Sequence, residues 1–327
     1  MNIRYFILFI SCLLLFSCSG GKVYGEEGPE LEIIRFDTEL YNYLTNNRPE
    51  SSLSSYNDFL DLFGQDVIYI GKSDSSGFYN RLKEFFSEPT LMGLYSDEQK
   101  SFFDIQSVRT ELSYGLDYFL KQFPSIAQPR IYMHVSGLNQ NIVVTDSILS
   151  ISADKYLGAD YPLYQDFFYD YQRQLMTSDR IVPDYLLGFM MANFPFEGND
   201  DILLDKILYE GKLRYILSRM LPERQVWEYV GYTKDEYLWC SNNQSRIWKT
   251  ILENQHLFSP NYVTTSQYLK EAPYTALLPV ESPGRVGIWL GYQIIISYMK
   301  HKPDTSLSDL MGMTDYNELL KQSKYKP

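Results

Sequence analysis

The chain has 327 residues, of which 16% are aromatic, and it carries a formal net charge of −12. Such an acidic surface repels polyanions, so neither nucleic acid nor anionic lipid headgroups are expected as partners. With three cysteines in the whole chain, stability has to come from a hydrophobic core rather than from a disulfide framework.

The N-terminal residues have the architecture of an export signal. A cationic head is followed by an apolar run from Tyr5 to Phe16, which is shorter than the roughly 20 residues that cross a bilayer. The next segment, Leu-Phe-Ser-Cys, resembles the lipobox of bacterial lipoproteins and ends at Cys18. We therefore predict a signal peptide over residues 1–17, lipidation at Cys18 and a Gly-rich tether over residues 18–30. The domain would lie outside the cytoplasm, anchored to the inner or the outer membrane of the cell envelope.

Residues 31–327 are predicted to form a single domain of the α+β class, predominantly α-helical with a small β-sheet. Apolar residues recur every three to four positions from Ile33 onward, which predicts helices in the first third of the chain. The period then changes near the middle of the chain, where turn residues separate short β-branched runs. Three strands are expected there, at residues 130–135, 141–144 and 148–151.

The second half of the chain is again predicted to be helical. The expected helices cover residues 163–176, 179–193, 200–220, 234–254 and 285–300. The last of these is the most apolar, but at about 1.5 Å per residue it is too short to span a bilayer. We interpret it as a buried central helix, in which Gly287 and Gly291 let another element approach the backbone closely.

The familiar patterns of catalytic and metal sites are missing from the sequence. The three histidines, His134, His256 and His301, do not form a His-Glu-x-x-His motif, and Cys240 has no second thiol for a paired metal site. No Gly-rich phosphate loop and no Gly-x-Ser-x-Gly elbow occurs. We therefore expect no metal, no other cofactor and no catalysis.

One carboxylate is a weak candidate for a catalytic residue. Glu210 lies among apolar residues, with Lys206 four positions before it and Arg214 four positions after it. An ion pair on a helix face, worth a few tenths of a kcal/mol when exposed, explains this spacing. A buried general base or metal ligand is the alternative, which the lack of histidine partners disfavours. Gly211 costs about 1 kcal/mol inside a helix, so another element is expected to pack closely there.

An aromatic and polar segment runs from Trp239 to Trp248 and could line a carbohydrate-binding groove. The two tryptophans are nine positions apart, which places them on opposite flanks of a helix and argues against a single aromatic platform. Anchoring in the core is therefore the preferred interpretation, and glycan binding is kept as an alternative.

Several phrases follow one another in a distinctive order along the chain. They are Ile34-Arg35-Phe36-Asp37, Leu208-Tyr209-Glu210-Gly211-Lys212, Gly231-Tyr232-Thr233, Ala272-Pro273-Tyr274, the stretch from Pro283 to Ile294, and the terminal Ser323-Lys324-Tyr325-Lys326-Pro327. Together they resemble the gliding motility-associated lipoprotein family GldB. The resemblance implies a membrane-anchored component that is needed for surface gliding and is associated with the secretion machinery on which gliding depends. Its partners would be envelope motility or secretion proteins.

The same region is more distantly similar to predicted zinc peptidases of the gluzincin kind, through Glu210-Gly211 and Gly291-Tyr292. In those proteins the Glu-Gly phrase supplies a metal ligand after a His-Glu-x-x-His helix, which would fall over Pro183–Asn193, where no histidine occurs. The similarity implies a zincin-like outline with a degenerate metal site. We therefore expect an anchored protein that acts through protein contacts. A degenerate hydrolase centred on Glu210 and a carbohydrate-binding lipoprotein are the alternatives.

Overall fold

The computed structural model describes residues 31–327, so the predicted signal peptide, the lipidation site at Cys18 and the tether lie outside the described residues. Over this range the protein is predominantly α-helical with one small mixed sheet, which confirms the predicted α+β class. Among these residues, no helix combines the length and the apolar character that crossing a bilayer requires.

The sheet has four strands in the described part of the chain. They are β1 (Ile33–Arg35), β2 (Arg130–His134), β3 (Ile142–Val144) and β4 (Ile148–Ser152). Their order is β1-β2-β4-β3, with β1, β2 and β4 parallel and β3 antiparallel to β4 at one edge. The three strands predicted in the middle of the chain are thus confirmed.

The first strand corrects the sequence analysis, which predicts helix from Ile33 onward. Three residues are too few to show the alternation of a strand, and they become extended because they pair with β2, with Ile33 opposite Ile131. The helical period is valid only from Phe36, where α1 (Phe36–Thr45) begins. Tertiary pairing therefore overrides the local periodicity at this point.

Helices from the first third of the chain cover one face of the sheet. After α1 they are α2 (Asn57–Leu62), α3 (Phe78–Phe85) and α4 (Pro89–Ser101). Their aromatic side chains form a cluster with Tyr132 of β2, whose ring stacks on Phe59 with 4.3 Å between the ring centroids. The neighbouring side chains of β2, Ile131 and Met133, belong to the core on the opposite face. Alternate residues of one strand thus contribute to two cores.

Helices from the rest of the chain follow, and most of them contribute side chains to the larger core on the opposite face. They are α5 (Gln106–Gln122), α6 (Tyr164–Phe167), α7 (Asp170–Arg173), α8 (Ile181–Asn193), α9 (Leu203–Met220), α10 (Val226–Tyr229), α11 (Lys234–Asn242), α12 (Gln244–Glu253), α13 (Tyr262–Leu269), α14 (Val286–His301), α15 (Leu307–Gly312) and α16 (Tyr316–Ser323). Two of these, α9 and α14, cross at the centre of this core, and most of their residues are buried.

Two of the predicted helices are broken in the structure. The helix predicted over residues 163–176 consists of the short helices α6 and α7, separated by the extended residues Phe168 and Tyr169. The helix predicted over 234–254 is divided into α11 and α12 at Asn243. Asn243 departs from helical geometry with φ −108° and ψ 12°, and its side chain donates a hydrogen bond to the Trp239 carbonyl at 2.9 Å.

The crossing of α9 and α14 depends on glycine at two positions. A Cβ atom at Gly291 would lie 1.7 Å from the carbonyl oxygen of Ile207, and a Cβ at Gly211 would lie 2.4 Å from the backbone of Gly291. Both distances are far below a van der Waals contact, and in each case the obstacle is backbone rather than a movable side chain. The structure therefore confirms that α14 is a buried central helix and that Gly211 permits a close approach.

Replacing Gly291 by alanine is expected to separate the two helices. Overpacking a core commonly costs about 1–3 kcal/mol, and we expect Gly291→Ala to reach or exceed the upper end of this range because the clash is with backbone. The matched control is Gly93→Ala in α4, where a Cβ meets nothing within 4 Å and alanine should stabilise the helix by about 0.5–1 kcal/mol. Urea denaturation of both variants measures the difference, and equal free energies of unfolding would contradict the proposed crossing.

A fully buried histidine gives the fold a dependence on pH. His134, at the end of β2, is surrounded by the rings of Phe59 and Phe63, and its Nδ1 lies 2.7 Å from the Ser150 hydroxyl. Burial disfavours the charged imidazolium and lowers the pKa of His134 from 6.5 to about 3.

Acidification should therefore destabilise the protein through His134. Between pH 6.5 and about 3 the unfolded state binds a proton that the folded state excludes, so the stabilisation present above pH 6.5 is lost as the pH falls. The loss attributable to His134 approaches about 1.4 kcal/mol per pH unit below pH 6. We expect His134→Asn to show a shallower decrease than the wild type between pH 7 and 4.5 in urea denaturation. Parallel curves for the two proteins would contradict the assignment.

Candidate functional site

A cleft of about 340 Å³ opens beside the edge strand β3 and the helix α8. Three arginines from distant parts of the chain line it: Arg180, in the turn before α8, Arg214, on α9, and Arg285, which immediately precedes α14. Further lining residues are Asn141, Ile142, Lys155, Tyr156, Phe168, Gln172, Asp184, Gly188 and Glu271. The cleft is thus cationic in a protein that is acidic as a whole.

Arg285 is held in a fixed position by its backbone and by its neighbours. Its φ angle of 56° is in the left-handed region, which is uncommon for a residue with a side chain. The preceding turn is anchored by Tyr232, whose hydroxyl donates to the Gly284 carbonyl at 2.6 Å. The guanidinium donates from Nη2 to the Gly231 carbonyl at 2.8 Å, and its Nη1 lies 3.5 Å from Glu271.

Arg180 is fixed by two acceptors. Its Nη1 donates to the carbonyl of Glu228 at 2.7 Å, and its Nη2 donates to Asp184 at 2.8 Å. The other carboxylate oxygen of Asp184 accepts a hydrogen bond from the Tyr156 hydroxyl at 3.0 Å. Gly231 lies over both this guanidinium and that of Arg285, since a Cβ at this position would be 3.7 Å from Arg180 Nη2 and 3.1 Å from Arg285 Nη2.

Arg214 is the most buried of the three arginines, with 8% of its surface exposed. Its Nη2 forms an ion pair with Glu210 at 3.1 Å, as the spacing of four residues predicts. Within residues 31–327, neither Nε nor Nη1 of Arg214 has a hydrogen-bond partner, and Glu210 Oε2 accepts no hydrogen bond. Burial lowers the pKa of Arg214, and the positive charges of Arg285 and Arg180 act in the same direction, while Glu210 opposes them.

The second predicted neighbour of Glu210 points elsewhere. Lys206 pairs with Asp200 at 2.5 Å, and its ammonium lies 4.1 Å from the centroid of the Phe196 ring. The interpretation of Glu210 as one half of a helix-face ion pair is therefore confirmed for Arg214 and wrong for Lys206. The pair is largely buried rather than exposed on the helix surface, and its Arg214 member lines the cleft.

These residues do not suit a divalent metal ion. Asp184 is engaged by Arg180 and Tyr156, and Glu210 by Arg214, so the carboxylates near the cleft already have cationic or hydroxyl partners. Three guanidinium groups would repel a cation at this position. In the part of the chain that the structure describes, no three His, Cys, Asp or Glu side chains are grouped closely enough to hold a metal.

A second buried cation on α9 is fully engaged and contrasts with Arg214. Lys212 donates to the carbonyls of Met311 and Met313 at 3.2 and 2.9 Å, and it lies 5.1 Å from the centroid of the Tyr316 ring. Burial lowers the pKa of Lys212 to about 8. Its contacts join α9 to the segment around α15, which indicates a structural role.

The aromatic segment is part of the core, as preferred from the sequence. Trp239 and Trp248 both pack against the larger hydrophobic core, and Trp248 meets the Tyr325 ring edge-on at 5.4 Å. Within residues 31–327 Cys240 is a buried cysteine without a disulfide, and burial raises the pKa of its thiol.

Sequence reasoning does not single out Arg180 or Arg285 as site residues. The available signal is the Pro283-Gly284-Arg285 phrase directly before an apolar helix, which marks a specialised turn rather than a regular helix start. For Arg180 the local sequence offers no comparable signal, because its role depends on the distant Glu228 carbonyl and on Gly231.

The family model described as gliding motility protein GldB matches residues 24–327. The chain belongs to the GldB family. In this GldB family member, the phrases containing Glu210, Gly231 and Arg285 meet at the arginine cleft, although they lie up to 75 residues apart in sequence. The chain matches no curated protein and no solved structure. The zincin-like outline therefore stays a prediction.

Breaking the Glu210 and Arg214 pair should be destabilising. Glu210→Ala leaves a buried guanidinium without its counter-charge, and we expect the free energy of unfolding to fall by about 2 kcal/mol. This is less than the about 3–5 kcal/mol lost when a fully buried pair is broken, because the Glu210 side chain is partly exposed. The double variant Glu210→Met with Arg214→Met should recover much of this loss.

The control for this pair is the exposed ion pair between Lys249 and Glu253 on α12, which has the same spacing of four residues. Glu253→Ala should change the free energy of unfolding by less than about 0.5 kcal/mol. Urea denaturation of all the variants provides the comparison. If Glu210→Ala is as mild as the control, the pair at the cleft does not compensate a buried charge.

Proposed function

We propose that this protein is a lipid-anchored component of the cell envelope that supports gliding motility through contacts with other envelope proteins and without catalysis. The observation that carries the proposal is the match to the gliding motility family GldB over residues 24–327. The lipobox-like segment that ends at Cys18 supports the anchored location, since acyl chains add about 0.8 kcal/mol of membrane affinity per buried CH₂.

The geometry of the cleft favours binding over hydrolysis. A general base needs a carboxylate that is free to take a proton from water, whereas Glu210 is paired with Arg214 and Asp184 accepts hydrogen bonds from Arg180 and Tyr156. Both carboxylates are thus already engaged by partners within the protein. This arrangement supports a recognition role for the same surface.

The anchoring is tested by replacing the acylated cysteine in the source cell. Cys18→Ala should move the protein from the membrane to the soluble fraction, abolish the recovery of motility or secretion subunits after cross-linking, and reduce colony spreading. The matched control is Cys12→Ala, which removes a cysteine from the predicted signal peptide and leaves the lipobox-like segment intact.

Two results would contradict the proposal. Normal spreading of a strain that lacks the whole chain would separate the protein from gliding. Normal spreading of the Cys18→Ala strain, with the same cross-linked partners as the wild type, would show that the protein acts without its lipid anchor.

A further inference from the structure

The arginine cleft contains hydrogen-bond donors that the protein does not use. Among the described residues, Nε and Nη1 of Arg214 and Nε of Arg180 are buried and have no hydrogen-bond partner. A buried donor without a partner costs about 1–3 kcal/mol, and more when it is charged. Arg214 is more than nine-tenths buried, and it is one of the residues that line the cleft.

The charged side chains around this space come from several elements of the fold. The cations are Lys155, Arg180, Arg214 and Arg285, and the carboxylates that line the cleft are Asp184 and Glu271. Glu210, which pairs with Arg214, adds a third carboxylate, which leaves one cation in excess. The ion pair between Arg285 and Glu271 is long, at 3.5 Å, and the Glu271 side chain is half exposed, so this carboxylate neutralises Arg285 only weakly.

We propose that this cleft binds a small ligand through an oxyanion, either a carboxylate or a phosphate group, with Arg214 as the central contact and Arg285 beside it. Guanidinium groups bind such oxyanions through charge-assisted hydrogen bonds, which are about twice as strong as neutral ones. An incoming oxyanion would satisfy donors of Arg214 that are otherwise unpaired. This proposal does not depend on the role in gliding.

The same charges limit the size of the ligand. The protein has a net charge of −12, so a long polyanion would be repelled by the surface around the cleft, while a single oxyanion meets only the local excess of cations. A volume of about 340 Å³ accommodates a small molecule or the end of a longer one. The apolar wall formed by Leu187, Met191 and Leu175 would contact the uncharged part of the ligand.

The test is isothermal titration calorimetry on the full mature chain in detergent, with inorganic phosphate and acetate as separate probes at constant ionic strength in chloride buffer. We expect saturable binding of at least one probe to the wild type. Arg214→Met should weaken this binding at least tenfold, and Arg285→Met should weaken it several-fold. The matched control is Arg219→Met, which removes an exposed arginine from the same helix and should leave the binding unchanged.

Each outcome has a defined meaning. Binding of phosphate alone assigns a phosphate-bearing ligand, and binding of acetate alone assigns a carboxylate, provided that Arg214→Met or Arg285→Met weakens it. If Arg214→Met loses its native circular dichroism spectrum, Arg285→Met decides the question on its own. The proposal is overturned if neither probe saturates the wild type, or if the folded cleft variants bind as tightly as Arg219→Met.

Discussion

The contact between α9 and α14 is the constraint on which the site depends. Because Gly291 has no Cβ atom, the backbone of α14 packs directly against the carbonyl of Ile207 on α9. Gly211 on α9 likewise leaves room for the backbone of Gly291. This contact fixes the two helices relative to each other. It therefore fixes Arg214, three residues beyond Gly211, relative to Arg285 at the start of α14. A larger separation would pull the two guanidinium groups apart.

The sheet provides the second constraint. Its central strand, β2, places Tyr132 in the aromatic core of the N-terminal helices, and Ile131 and Met133 in the helical core on the opposite face. The antiparallel strand β3 ends the sheet on the side where α8 packs, and Ile142 lines the cleft together with Gly188 of that helix. The cleft thus lies where the sheet meets the larger core.

The cleft has an excess of positive charge, whereas the whole molecule is negatively charged. A surface with a net charge of −12 favours solubility and repels anions at long range. Inside the cleft, short distances and low exposure outweigh this long-range field, because charge interactions strengthen as water is removed. Burial disfavours the charged form of Arg214 and lowers its pKa, and Glu210 opposes this effect. A buried cation with one counter-charge and free donors is a state that a bound oxyanion would stabilise.

The sequence by itself determined the fold class, the three central strands and the buried nature of α14, because these depend on local periodicity. It also determined the pairing of Glu210 with Arg214, because residues four apart face each other on a helix. Its order of phrases also identified the family that the full match supports. Only the tertiary structure decided that Ile33–Arg35 is a strand, since those residues become extended by pairing with β2. It also decided that Arg180 and Arg285 join Arg214 in one cleft, because residues on different elements, up to 105 positions apart, leave no periodic signal in the sequence.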